Sequence, residues 1–379
     1  MEETNKSEQS VNPEETPRTE GPAEQANHDS SKETEAKKAF PAVESPEVPK
    51  GAEIPEIKPL EKEEEFNEIA NAVDQLKAEI QKVLIGQDET LELLMAGILS
   101  RGHLLLEGVP GIAKTLMIKL FSKAISTSFK RIQFTPDLMP SDVIGTSVFN
   151  MKTSEFQFKA GPIFTNIVLI DEINRAPAKS QAALFETMEE YQVTVDGTTY
   201  QLDEPFFVLA TQNPIEQEGT YKLPEAQLDR FLFRVKLTYP DLKDEISIMT
   251  RFKDSFALRP EESIKPVFSV NDLNRFRSQI EKVHIKDQLI EYIAQLVHST
   301  RNSPDLFLGA SPRASLAIMR TSKAIAAIRG RNFVTPDDIK HVAKPVLNHR
   351  IILSPEKELE GVTTEQVIDE FLAEIEIPR

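Results

Sequence analysis

The chain contains no cysteine. That excludes disulfides, zinc–thiolate sites and thiol catalysis, and it fits a reducing compartment. Positive charge is also scarce: 44 Lys and Arg stand against 61 Asp and Glu, a formal net charge of −17. A chain this acidic has no general attraction for DNA, RNA or an anionic bilayer, and only local basic patches remain open to it. No uninterrupted apolar run approaches the length that spans a bilayer. Met1 to Lys6 lack the basic-then-apolar order of a secretory signal. A cytoplasmic location is therefore expected, with no nucleic-acid partner and no direct membrane insertion.

Large apolar side chains are nearly missing before Phe40 as well. Residues 1–60 carry 14 acidic residues, 7 basic residues and 8 prolines, too little apolar surface to offset the entropy of ordering a chain. This stretch is expected to be a disordered acidic tail, either a solvating extension or a partner-binding segment. The remainder of the 379 residues is long enough for two ordinary domains. An α/β domain is expected over residues 61–239 and a smaller all-helical domain over residues 240–379.

What is present centres on Leu104 to Thr115. A short apolar strand leads into a glycine-containing turn, and the turn leads into a helix that opens on Lys-Thr. Glycine allows close backbone approach, and the helix points its positive end at the same place, so a polyphosphate fits there. The binding set is Gly108, Val109, Pro110, Gly111, Ile112, Ala113, Lys114, Thr115 and Leu116. Lys114 would neutralise the β- and γ-phosphates, and the Thr115 hydroxyl would coordinate Mg²⁺. The usual motif has glycine immediately before the lysine. Ala113 stands there instead, and is expected near helical dihedrals, where alanine costs little.

The continuous apolar run Asn166 to Ile170 reads as a strand buried on both faces of a parallel sheet. It ends in Asp171-Glu172. Ligands of open α/β sheets sit at the carboxyl ends of the strands, so both carboxylates are expected beside the phosphate loop. Asp171 suits a Mg²⁺ contact through water, and Glu172 suits the base that activates a water for attack on the γ-phosphate. A further buried strand, Phe206 to Ala210, runs out at Asn213, whose amide could orient that water. Leu84 and Ile85 precede the first strand and are candidates for the adenine contact or for plain core packing.

Around these lie a helical face (Phe66, Ile69, Val73, Leu76, Ile80, Val83), a strand at 130–134, and two hairpins at 147–158 and 193–200. Leu223 to Phe231 is expected as a short helix with Arg230 at its end. Beyond Pro240 the pattern turns helical, with Ser311-Pro312 and Thr335-Pro336 as capped helix starts. Arg313 lies in a first helical turn, against the dipole preference there, which points to an anionic partner or a surface ion pair.

The ordered set Gly108–Thr115, Gln133–Pro140, Ile170–Pro177 and Ala210–Phe231 resembles the MoxR family of AAA+ ATPases over roughly residues 65 to 375. The resemblance implies a P-loop NTPase core with a parallel sheet, followed by a helical lid, using ATP and Mg²⁺. It implies roles for Asn213 as sensor 1, Arg230 as an arginine finger serving a neighbouring subunit, and Arg313 as the sensor-2 arginine. Arg175 is a further basic residue whose role it leaves open. The hairpins match inserts that mark this branch. Members form homo-oligomeric rings, usually hexamers, and act as chaperone-like activators of protein clients, often with von Willebrand factor A domains. Alternatives are the ATPase subunit of a metal chelatase and a nucleotide-gated binding module with vestigial hydrolysis. The Asp171-Glu172 pair argues against the latter, and the acidic balance against a nucleic-acid motor.

Overall fold

The computed structural model describes residues 60–214, 221–253 and 260–377. The tail expected before residue 60 lies outside them. The chain opens on α1 (Leu60–Gln81) and α2 (Asp88–Leu99), then β1 (His103–Gly108), α3 (Lys114–Ala124) and β2 (Phe129–Gln133). Next come α4 (Pro140–Ile144), the hairpin β3 (Gly145–Asn150) and β4 (Glu155–Ala160), β5 (Ile167–Asp171) and α5 (Ala178–Glu190). A second hairpin, β6 (Gln192–Val195) and β7 (Thr198–Gln201), precedes β8 (Phe207–Gln212), α6 (Glu225–Leu228) and β9 (Phe231–Leu237). The helical part follows as α7 (Leu242–Phe252), α8 (Val270–Glu281), α9 (Asp287–Asn302), β10 (Leu306–Leu308), α10 (Pro312–Ile328), α11 (Pro336–Leu347), β11 (Ile352–Leu353), α12 (Pro355–Leu359) and α13 (Thr364–Glu374).

Five strands form one sheet in the order β2-β5-β8-β1-β9, every pair parallel. Every residue of β1 and β5 is buried, as expected of strands covered on both faces. One face packs on α1, α2 and α3, and this core runs without a break into α8, α9, α10, α11 and α13. The other face packs on α5 and the segments around it. The predicted face of α1 is buried along its length, from Phe66 to Ile80. Truncating such side chains to alanine costs about 2–5 kcal/mol each.

Three expectations need correction. Phe231 opens the edge strand β9 rather than ending a helix; the helix is confined to Glu225–Leu228. The lid is not wholly helical, since β10 and β11 pair as an antiparallel ribbon. Ser311 is the N-cap of α10 but its hydroxyl makes no capping bond and faces Asp229 Oδ2 at 3.4 Å instead. No described helix is long and apolar enough to cross a membrane.

Two buried histidines tie the amino edge of the sheet to its surroundings. His103 accepts the Val208 N–H at Nδ1 (3.0 Å), so Nε2–H donates to the Met188 carbonyl (3.1 Å). His349 Nε2 lies 3.0 Å from the Phe231 carbonyl. Burial pushes the His103 pKa down to about 4 from 6.5, and burial beside Arg350 lowers His349 well below that ordinary value. Protonation therefore favours the unfolded chain, where the imidazole keeps its ordinary pKa. The stability these groups contribute is complete above pH 6.5 and falls as pH drops toward the folded-state value. At about 1.4 kcal/mol per pH unit, His103 alone removes about 2 kcal/mol between pH 6.5 and pH 5. Urea midpoints measured from pH 8 to pH 5 should be flat above neutrality and decline below it, with a shallower decline in His103→Gln. A parent midpoint unchanged down to pH 5 would contradict this.

Candidate active site

Parallel pairing brings the ends of β1, β5 and β8 to one edge of the sheet. β1 feeds the loop expected to cradle phosphates, whose backbone is left-handed at Gly111 (φ +86°) and again at Ala113 (φ 60°, ψ 25°). Ala113 is thus not in helical dihedrals, contrary to expectation. It caps α3 from the left-handed region, where Met117 N–H donates to its carbonyl at 2.9 Å. The position conventionally held by glycine has a conformational reason, and alanine accepts about 1 kcal/mol or more of strain to fill it. A Cβ at Gly111 would meet nothing within 4 Å, whereas one at Gly108 would strike Ile112 at 2.6 Å. Leu237 of β9 also presses close at 108, its Cβ and its carbonyl each 3.0 Å from that Cβ, so glycine there eases the approach of β9, and the loop is open at 111. Val109 and Ile112 are half-buried, Pro110 exposed, and Leu116 packs half-buried against the core.

Lys114 Nζ donates to the Gly108 carbonyl at 2.6 Å, across the mouth of the loop. Burial lowers its pKa, and the charges of Asp171 and Glu172 pull it back up. The cation of the loop and the two acids at the end of β5 thus share one electrostatic site, as the sequence led us to expect. Asp171 is held from two sides: Thr211 Oγ1 donates to Oδ1 and Arg131 Nε to Oδ2, each at 2.7 Å. Glu172 sits at φ 57°, a strained conformation for a glutamate. Its N–H donates to Thr211 Oγ1 at 3.0 Å, and its Oε2 accepts from Gln133 Nε2 at 2.6 Å and lies 3.4 Å from Arg175 Nε. Asn213 is buried directly beyond the end of β8. Leu84 belongs to the main core, and Ile85 beside it is half-buried.

These donors fit a Mg-nucleotide. The open, left-handed turn at Gly111 leaves backbone room for phosphates. Thr115 and Asp171 offer hard oxygens of the kind Mg²⁺ prefers, directly or through water. Arg131, Gln133 and Thr211, for which the residue pattern suggested no role, orient the two acids. Their signal was present only as proximity: Gln133 lies in register with Asp171 across the β2–β5 pair.

Arg230 and Arg313 lie elsewhere. Both line a cavity of about 160 Å³ with Arg101, Gly102, His103 and Leu232, at the strands' amino ends. β1 is six residues long, so the two edges are roughly 17 Å apart at about 3.3 Å per residue. Glu189, near the end of α5, holds Arg230 Nη2 and Arg313 Nη2, each at 3.0 Å. Asp229 lies 3.8 Å from Arg313 and takes a 2.7 Å bond from Arg350 Nε. Arg350 is buried and also donates to the Phe231 and Val346 carbonyls, each at 2.6 Å. The structure does not bring Arg230 or Arg313 to the phosphate loop of its own chain.

The strain at Ala113 is testable without ligand. Ala113→Gly removes the left-handed penalty of about 1–2 kcal/mol and adds about 0.5–1 kcal/mol of unfolded-state entropy, leaving a gain of up to about 1.5 kcal/mol. Urea unfolding of the variant should show that gain, and a clear loss would mean that Ala113 is not held in the left-handed region.

Comparison with known proteins identifies the family. Residues 103–233 match the family described as ATPase family associated with various cellular activities (AAA), and residues 298–371 match the AAA lid domain. YeaC of Bacillus subtilis is 46% identical over 299 residues, covering 79% of this chain and 92% of the relative. The chaperone MoxR1 of Mycobacterium tuberculosis is 41% identical over 310 residues, covering 79% of this chain and 81% of the relative. A solved structure from Cytophaga hutchinsonii superposes with a TM-score of 0.78 at 45% identity, covering 84% of this chain and 99% of the other. With its five-stranded parallel sheet and its helical lid, the chain belongs to the MoxR-type AAA ATPases.

Proposed function

We propose that this protein hydrolyses ATP with Mg²⁺ at sites shared between neighbouring copies of itself, and couples the cycle to remodelling of protein clients. The observation that carries the reading is the division of the charged residues between two edges of one sheet. Lys114, Asp171 and Glu172 converge at the carboxyl edge, while Arg230 and Arg313 meet at Glu189 on the amino edge. Neither half is a complete phosphoryl-transfer site, because transition-state charge needs cations beyond the loop lysine. Stacking copies head to tail sets the arginine edge of one against the phosphate loop of the next. Such a heterologous contact closes into a ring when the rotation permits, and a hexamer is the size the family resemblance implies.

In this mechanism the loop amides and Lys114 would hold the phosphates, and Thr115 and Asp171 would hold Mg²⁺. When bound, the metal neutralises charge on the β- and γ-phosphate oxygens. Glu172 takes the proton of the attacking water, which Asn213 orients, once its carboxylate is released from Gln133. Arg230 and Arg313 of the adjacent copy stabilise the charge that develops. The hairpin of β3 and β4 supports a client role: Met151 is 88% and Phe156 74% exposed, an apolar tip that a folded domain has little reason to display. Clients with von Willebrand factor A domains are the class that the resemblance suggests.

Arg230→Ala should fold and bind ATP yet lose roughly three to five decades of turnover, the usual worth of such an arginine. Lys114→Ala should lose nucleotide binding while keeping its arginine edge. Mixed together, an Arg230→Ala nucleotide site beside a Lys114→Ala neighbour rebuilds one complete site. Hydrolysis across a titration of mixing ratios should therefore rise above both parents, with subunit exchange verified separately. A flat baseline at every ratio would remove Arg230 from trans catalysis.

A further inference from the structure

At the amino edge Glu189 joins two arginines that come from different layers of the molecule. Arg230 belongs to the sheet layer, one residue before β9, and Arg313 belongs to the lid, in the first turn of α10. Two guanidinium groups side by side repel, and an anion between them offsets that repulsion. Glu189 is that anion. Its Oε2 lies 3.0 Å from Arg230 Nη2 and its Oε1 3.0 Å from Arg313 Nη2, so one carboxylate divides its two oxygens between the two arginines. Phe185, one turn earlier on the same helix, adds an aromatic face 5.9 Å from the Arg230 guanidinium. Asp229 continues the series on the far side of Arg313, toward the buried Arg350.

The resulting order is Arg230, Glu189, Arg313, Asp229, Arg350: three cations around two anions, with a surplus of one positive charge. Arg320 lines the same cavity and adds to that surplus. A site that neutralised its arginines completely would have nothing to offer a phosphate. One that left them unpartnered would have them splayed apart and hydrated. The alternation does neither, and it fixes the spacing between a lid arginine and a sheet arginine.

We infer that Glu189 is a positioning residue for hydrolysis: it acts through Arg230 and Arg313, setting both at one distance for presentation to the neighbouring copy's nucleotide. The inference rests on the trans reading proposed above. Glu189 lies on the opposite edge of the sheet from its own phosphate loop, so it touches no nucleotide in its own chain. Its removal should therefore behave as an arginine-edge defect and not as a nucleotide-site defect.

The test uses Glu189→Gln, an isosteric change at a side chain 41% exposed, and Glu189→Asp, whose shorter arm cannot reach both arginines. Both should assemble as the parent does, with KM for ATP within about twofold, and lose tenfold to a hundredfold in kcat, about the cost of misplacing a catalytic group by an ångström. Mixing separates this role from a general defect. Glu189→Gln subunits should regain turnover when mixed with Lys114→Ala subunits, which carry an intact arginine edge. They should gain nothing from Arg230→Ala subunits, which share the same broken edge. Parent-like kcat in both variants, or recovery with Arg230→Ala, would overturn the inference. Failure of the Arg230→Ala and Lys114→Ala pair to complement each other is a separate outcome: it would overturn the trans reading itself, and this inference with it.

Discussion

Parallel pairing of β1 with β8 on one side and β9 on the other is the constraint from which the rest follows. It gathers the carboxyl ends of the strands at one edge of the sheet and their amino ends at the other. The phosphate loop, Asp171 and Glu172 are therefore neighbours because their strands point the same way. The same geometry sends the start of β9 and the end of α5, with Arg230 and Glu189, to the opposite edge. Polar groups that look like parts of one site in sequence are separated by the length of a strand.

The lid is fastened where it can serve that distant edge. Consecutive residues after α11 do the fastening: Asn348 Nδ2 donates to the Arg234 carbonyl at 3.0 Å, His349 lies against the Phe231 carbonyl, and Arg350 is buried against Asp229. Arg234 in turn makes two 2.9 Å bonds to Glu107, the residue before Gly108. Polar contacts thus run from the strand that feeds the phosphate loop to the foot of the lid. The apolar core under α1 extends into the same helices, so the lid and the sheet share an interior.

Much of this was legible from residue pattern. The run at 166–170 declared a strand buried on both faces, and its terminal acids were expected beside the loop that carries Lys114, where they lie. β9 was harder to see because Arg234 and Lys236 interrupt its apolar residues. Their partners, Glu107 and Glu365, lie far away in sequence. The left-handed backbone at Ala113 was hidden because alanine is a good helix former, and a dihedral imposed by the loop leaves no mark in composition. Glu189 drew no expectation from the sequence. Its value comes from Arg313, 124 residues further along, and no local reading could have joined them.

The central claim is that one chain carries two halves of different active sites. The most direct measurement is turnover per subunit against protein concentration, with the oligomer fraction followed by sedimentation and nucleotide binding followed in parallel. Dilution should leave ATP binding in place while turnover per subunit falls in step with the loss of subunit–subunit contacts. A turnover per subunit that stays constant down to concentrations where only single copies remain would mean that each chain completes its own site, and would contradict the account.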